Sequence, residues 1–404
     1  MKKTALRLIS ILIMICMSIS LISCSSGSAE APKASQTASA APEPTPDISS
    51  FDYSAKTYDV NALEGKYKLQ GRCPIVSYKP PRTDGEINAI ALDYTAASFS
   101  FNAYCEGDVT AEIYTAPTNI GGTKLYLNVY VDGVKNASRA DFRLSGKKVN
   151  TVTLAEGLER GFHTFVIERQ TEAERGLIYL NSISINGEIY GKPADAELFI
   201  EFIGDSITTG YGNLYPDLTE GEEDANQASN VYQDGTKTYA YITAKNLGAD
   251  YSIVAQQGIG ATKGYYAHTM LGTYEDTCYQ CDHNDKWDFE RKPDVVVINL
   301  GTNDYTMATR DQLTMEEMQR GFEDFCSLVR EKNPDAKILW AYGMMNEGAE
   351  EYIRAALETA GGEAAGFYFV KLESNRDGGN GHPSAAAHEA NAAILTEAIK
   401  NIMG

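Results

Sequence analysis

Four short blocks of this sequence carry side chains able to work together on an acyl group. Gly204-Asp205-Ser206-Ile207-Thr208-Thr209-Gly210-Tyr211-Gly212 directly follows an apolar strand pattern, Leu198 to Ile203. A serine at such a strand-to-helix turn presents its hydroxyl. The helix start offers unpaired N–H groups to a developing oxyanion. Gly258-Ile259-Gly260 follows a second strand pattern, Tyr251–Ala255, and either glycine could bring a backbone N–H close to the same oxygen. Gly301-Thr302-Asn303-Asp304 follows a third, Asp294–Leu300. An asparagine amide there can donate to a tetrahedral oxyanion, a contact whose loss costs ~3 kcal/mol of barrier. The fourth block is Asp377-Gly378-Gly379-Asn380-Gly381-His382-Pro383-Ser384. The chain has five histidines, and imidazole is the commonest base for a serine hydroxyl. His382 lies in a Gly-rich loop before a helix. His388, on that helix, reads as a packing or hydrogen-bonding residue; His163 and His283 have no partner in view.

The elements around these blocks alternate. Two further strands are expected at Lys337–Tyr342 and Gly366–Val370. Helices are expected at Thr238–Leu247, Thr314–Lys332, Glu347–Ala360 and Ala385–Met403. Such alternation predicts a parallel sheet with helices on both faces, with its site at the carboxyl ends of the strands. Upstream, about residues 51–190, the grammar is different. Leu125–Val131 followed by Asp132-Gly133, Val149–Leu154, Gly161–Glu168, and Ile178–Ile185 followed by Asn186-Gly187 read as strands with turn signals. A β-sandwich is expected, of the jelly-roll kind.

The blocks occur in the order and spacing of the SGNH (GDSL) hydrolases, and the chain from about residue 55 to 404 resembles that superfamily. The strand-rich first part, with Gly161–Thr164 and Gln170–Ala173, is similar to carbohydrate esterase family 2, acetyl esterases with a jelly roll before the SGNH domain. The resemblance implies Ser206 as nucleophile and His382 as base. It implies an oxyanion hole of the Ser206 N–H, a glycine N–H (Gly260 ahead of Gly258) and Asn303. Many relatives carry an acid two residues before the histidine, whereas this chain has Asn380. The group orienting His382 is therefore left between a backbone carbonyl or Asn380 and Asp377. The implied reaction is removal of O-acetyl groups from carbohydrate, such as xylan or glucomannan, without metal or cofactor. The alternatives are a catalytically weak glycan-binding surface protein and an esterase acting on lipid or peptidoglycan. Among the aromatic residues, Trp287 is the candidate for a substrate rim, and Trp340 reads as core.

Composition bounds the rest. The chain has 404 residues, 55 acidic against 35 basic, with a formal net charge of −20. That balance argues against a nucleic-acid partner and favours neutral ones. Residues 1–23 read as a secretion signal: Lys2, Lys3 and Arg7 precede an apolar run, and Leu21-Ile22-Ser23-Cys24 resembles a bacterial lipobox. Cys24 would then carry the lipid anchor of an exported, membrane-attached surface protein. Residues 24–50, rich in Ser, Ala and Pro, read as a disordered linker. The expected domains are 51–192, the sandwich, and 193–404, the hydrolase domain. Cys278-x-x-Cys281-x-His283 could bind metal or close a loop disulfide; it lacks a second ligand pair at zinc-like spacing.

Overall fold

The computed structural model describes residues 48–80, 85–118, 124–143, 149–215, 230–279 and 285–404. The signal, Cys24, most of the linker, Cys281 and His283 lie outside these residues. Residues 47–404 form one compact unit.

Nine antiparallel strands make up its first part. They are β1 (Ala55–Asp59), β2 (Tyr67–Gln70), β3 (Ile75–Tyr78), β4 (Ile87–Leu92), β5 (Ser98–Pro117), β6 (Lys124–Val131), β7 (Val134–Arg143), β8 (Asn150–Arg169) and β9 (Gly176–Gly191). The main path runs β3-β4-β9-β5-β8-β6-β7, with β1 added to β9 and β2 to β5. Phe99, Phe101, Leu127, Phe165, Ile167 and Leu180 fill an apolar core. Asp132 and Gly133, with φ of 52° and 76°, form the two-residue turn between β6 and β7 that the dipeptide predicts. Asn186-Gly187 is not a turn. β9 runs through it, and Gly187 lies against Cys105 of β5. A Cβ there would stand 2.1 Å from the Tyr104 carbonyl, so the glycine serves strand approach rather than chain reversal. The expected strands 149–154 and 161–168 are likewise one long strand, β8, with register shifts against β5.

The second part is a parallel sheet of β10 (Phe199–Gly204), β11 (Asp250–Ala255), β12 (Val295–Asn299), β13 (Lys337–Tyr342) and β14 (Phe367–Lys371). Its order is β11-β10-β12-β13-β14. The first strand therefore sits between the second and third, and the connections leave in opposite directions from β10 and β12. Ligands bind at that point in open α/β sheets. Helices α1 (Ser206–Thr209), α2 (Tyr239–Asn246), α3 (Met270–Thr273), α4 (Thr302–Ala308), α5 (Met315–Lys332), α6 (Glu350–Thr359) and α7 (Ala385–Met403) complete it. α2 and α7 pack Tyr239, Ala244, Leu395 and Ile399 with Phe202, Ile253, Val297 and Leu339. α5 and α6 pack Phe322, Phe325, Val329 and Ile353 with Ile203, Val296, Ile298 and Trp340 on the opposite face. Trp340 is fully buried and donates to the Leu300 carbonyl at 3.0 Å. Among the described residues, no helix is long and apolar enough to cross a membrane.

Candidate active site

Strand register brings the first three blocks level. Gly204 pairs with Ala255 on one side and Asn299 on the other. Each strand therefore stops at the same height, and its loop begins there. Gly204 itself must lack a side chain, because a Cβ would stand 2.0 Å from the Thr208 hydroxyl.

Asp205 caps α1, its Oδ1 accepting from the Ile207 N–H at 2.9 Å. That cap turns the chain sharply enough to place Ser206 at the first helical position, 5% exposed. The Ser206 Oγ lies 2.8 Å from His382 Nε2. The other ring nitrogen, Nδ1, lies 3.2 Å from the Gly379 carbonyl. A carbonyl can only accept, so Nδ1 carries the proton and Nε2 is left as acceptor for the serine hydroxyl. Burial in this wall lowers the His382 pKa to about 4, the dominant cause being loss of water around the charged ring.

The loop that carries His382 is built against the first block. Gly212, with φ of +66°, accepts from the Gly379 N–H at 2.9 Å, and a Cβ on it would stand 2.9 Å from Gly379 Cα. The Gly378 N–H donates to the His382 carbonyl at 2.8 Å, closing the turn. Asn380 sits in the left-handed region at φ 52°, which asparagine tolerates better than most residues. Its side-chain amide donates to the Tyr211 hydroxyl at 2.7 Å. The Tyr211 ring lies against His382, centroids 4.5 Å apart. Asp377 is exposed and accepts from the Asn375 amide at 2.8 Å. The orienting contacts described for His382 come from the backbone, at Gly379 and at Asn380, and not from the Asp377 carboxylate.

Asn303 stands at the start of α4, 7% exposed, its Nδ2 donating to the Ile259 carbonyl at 2.7 Å and to Asp205 at 3.3 Å. The neighbouring Asp304 is fully buried and accepts from the N–H groups of Ala261, Thr262 and Lys263 at 3.0, 2.7 and 2.9 Å. It thus holds the glycine loop of the second block to the third. Desolvation raises the pKa of Asp304, and that of Asp205 to about 7.

A cavity of about 540 Å³ opens over these groups. Ser206, Gly258, Asn303 and His382 line it, with Tyr211, Tyr265 and Tyr266. Of the two glycines that the resemblance offers, Gly260 ahead of Gly258, the cavity lining includes Gly258. Gly258, at φ +73°, is on the cavity wall; Gly260 is behind it, where a Cβ would meet the Lys263 carbonyl at 2.0 Å. Trp287 is not at this rim. It lies over Arg72, 5.6 Å from the guanidinium, beside Phe199 and Tyr251 at the amino ends of β10 and β11. His388 is buried, and its Nδ1 accepts from the Tyr239 N–H at 3.1 Å. His163 bonds Asp132 at 2.8 Å on the β part. Cys278 is disulfide-bonded.

The β part also reaches the site, which the sequence reading does not anticipate. Between β8 and β9, buried Glu172 and Arg175 pair at 3.1 Å. Glu172 accepts from the Gln257 N–H at 3.1 Å, and Arg175 donates to the Gln257 side chain at 2.8 Å. The Arg175 guanidinium lies 5.7 Å from the Tyr211 ring centroid. Gln257 precedes Gly258, so this pair fixes the loop facing the serine. A run of charges between two apolar strands is the only sequence signal for it.

The model of the GDSL-like Lipase/Acylhydrolase family matches residues 202–390. Among curated proteins, the cellulase/esterase CelE of Acetivibrio thermocellus is 33% identical over 269 residues, 63% of this chain and 32% of that one. An acetylxylan esterase/glucomannan deacetylase of Cellvibrio japonicus is 38% identical over 119 residues, 28% of this chain and 31% of that one. The aligned region thus spans about a third of each of these relatives. Among solved structures, a family two carbohydrate esterase from Clostridium thermocellum in complex with cellohexaose superposes with a TM-score of 0.70. It is 27% identical and covers 84% of this chain and 99% of that one. With its level strand ends, serine–histidine contact and matching sequence model, the parallel-sheet part of this chain is similar to the GDSL-like Lipase/Acylhydrolase family over residues 202–390.

Proposed function

We propose that this protein is a serine esterase that removes O-acetyl groups from carbohydrate through an acetyl-serine intermediate. The observation that carries the reading is the 2.8 Å contact between Ser206 Oγ and His382 Nε2 on the wall of an open cavity. His382 Nε2 takes the hydroxyl proton as Oγ attacks the acetyl carbonyl. The carbonyl oxygen becomes an oxyanion, received by the Ser206 and Gly258 N–H groups and the Asn303 amide. The 3.3 Å contact from Asn303 to Asp205 is the longer of its two bonds and the one an oxyanion replaces. His382 then gives its proton to the departing sugar oxygen. Water, deprotonated by the same imidazole, attacks the acetyl-serine and releases acetate. Throughout, the Gly379 carbonyl holds Nδ1–H, so the site works as a serine–histidine dyad with a neutral orienter.

The carbohydrate reading draws on the relatives' names and on the cellohexaose bound by the Clostridium thermocellum protein. We also read the β part as a jelly-roll-type sandwich, and residues 1–23 as a lipoprotein signal followed by the acylated Cys24. Labelling of cells with a palmitate analogue, lost on Cys24→Ala, tests the anchor. For the activity, acetylated xylo- and gluco-oligosaccharides are incubated with the protein and acetate is measured. Release by the native chain and none by Ser206→Ala is expected. Equal release by both removes Ser206 from the reaction.

A further inference from the structure

Two cavities share wall residues at the site. The one over Ser206 shares Tyr265, Tyr266 and Arg310 with a second of about 400 Å³. The first also carries Arg376, and the second Lys263. Among the described residues, no Asp or Glu lines either one. This is unexpected in a chain of formal charge −20. Elsewhere, Lys56, Arg160, Arg291 and Lys371 each hold a carboxylate within 3.0 Å. Arg310 and Arg376 are exposed, and neither has a carboxylate partner among the described residues. Arg310 lies 5.5 Å from the exposed Tyr265 ring, and Arg376 donates to the Gly381 carbonyl at 3.4 Å. Asp377, next along the chain, turns its carboxylate to Asn375. Asp304, behind the loop, is buried under three backbone N–H groups.

We infer that this groove selects carbohydrate bearing a uronate carboxylate near the acetylated sugar, with Arg310 and Arg376 as the residues that set the preference. The inference rests on the ester-hydrolase reading for its position, and deepens it by naming the substrate class. The negative surface does not forbid such a ligand. At physiological salt the field of distant charges is screened within ~8 Å, so cations on the cavity wall decide what is held there. A guanidinium also presents a planar fork that pairs with a carboxylate through charge-assisted bonds, roughly twice as strong as those a neutral hydroxyl accepts.

The test is calorimetric titration of the intact protein with a uronate-bearing xylo-oligosaccharide and with a neutral one of equal length. Binding needs no turnover, so its result is independent of acetate release. Two exposed guanidiniums predict about three- to tenfold tighter binding of the acidic oligomer in dilute buffer. The gap should close in 0.3 M salt, roughly three times the ionic strength that sets a ~10 Å screening length. It should close as well in Arg310→Gln/Arg376→Gln, and reverse in Arg310→Glu/Arg376→Glu. Equal affinity of the native protein for both oligomers, no binding of either, or a preference unaffected by salt and by the double substitution overturns the inference. A protein that prefers the acidic oligomer yet releases no acetate from any ester keeps the inference and loses the esterase reading.

Discussion

Asp377→Asn separates a dyad from an acid-oriented triad. Where a carboxylate orients the histidine of a serine hydrolase, its conversion to the amide lowers kcat by ~10⁴, equivalent to ~5 kcal/mol of barrier. Here Nδ1 lies 3.2 Å from the Gly379 carbonyl, which a substitution at Asp377 does not remove. Asp377 is exposed, and its nearest described contact is the Asn375 amide at 2.8 Å. Its backbone N–H is also held by Asn375, at 3.1 Å, so the loop keeps an anchor in the variant. An exposed charge that acts on His382 only through water changes a rate by no more than about fivefold. The assay is kcat/KM for 4-nitrophenyl acetate at pH 7, with circular dichroism to show an intact fold. A change within fivefold is expected. A loss of a thousandfold or more in a folded variant would mean that the carboxylate reaches the imidazole, and the carbonyl assignment would fall.

The remaining predictions concern the same machinery. With His382 as the proposed base and its pKa lowered to about 4 by burial, kcat/KM should stay flat from pH 7 to 5 and fall only towards pH 4; an acid limb near 6.5 would contradict this. The folded chain then binds fewer protons here than the unfolded one, so the stability this group contributes is present above ~6.5 and lost as pH drops through about 4. Thermal melting against pH reads that loss directly. Gly212→Ala places a Cβ 2.9 Å from Gly379 Cα at a φ of +66°, so it should lower kcat at least tenfold by shifting the carbonyl that orients His382. Unchanged kcat would show the two blocks to be uncoupled. Asn303→Ala should lower kcat ~10²–10³-fold with little change in KM, as loss of an oxyanion donor does. A rise in KM alone would place Asn303 in substrate binding instead.

Much of this site is written locally. Apolar strand runs ending in Gly-Asp-Ser and Gly-Thr-Asn-Asp locate the serine and the amide, because a buried parallel strand needs a continuous hydrophobic stretch and its loop must follow at once. The helices are legible for similar reasons: α5 starts at a capping box of Thr314 and Glu317 and ends before Asn333-Pro334. The orienter of His382 is not legible, because a backbone carbonyl has no signature. It emerges from a turn that depends on Gly212, 167 positions upstream of Gly379. Asn380 misleads for a related reason, since its left-handed backbone swings the amide to Tyr211. Asn186-Gly187 has turn chemistry but is overridden by pairing with β5, where tight approach needs the glycine. Trp287 shows that a polar loop says little about which end of a sheet an aromatic covers. Glu172 and Arg175 belong to the β part by sequence and to the site by packing, a relation visible only once the chain is folded.

The central claim is that Ser206 carries the acetyl group between the sugar and water. Mixing the protein with an acetylated substrate, quenching in acid within the turnover time, and sequencing peptides by mass should find one acetyl group on Ser206. None should appear in Ser206→Ala. Acetate release in solution with no acyl group on any residue, or with the acyl group on a different side chain, would contradict the account.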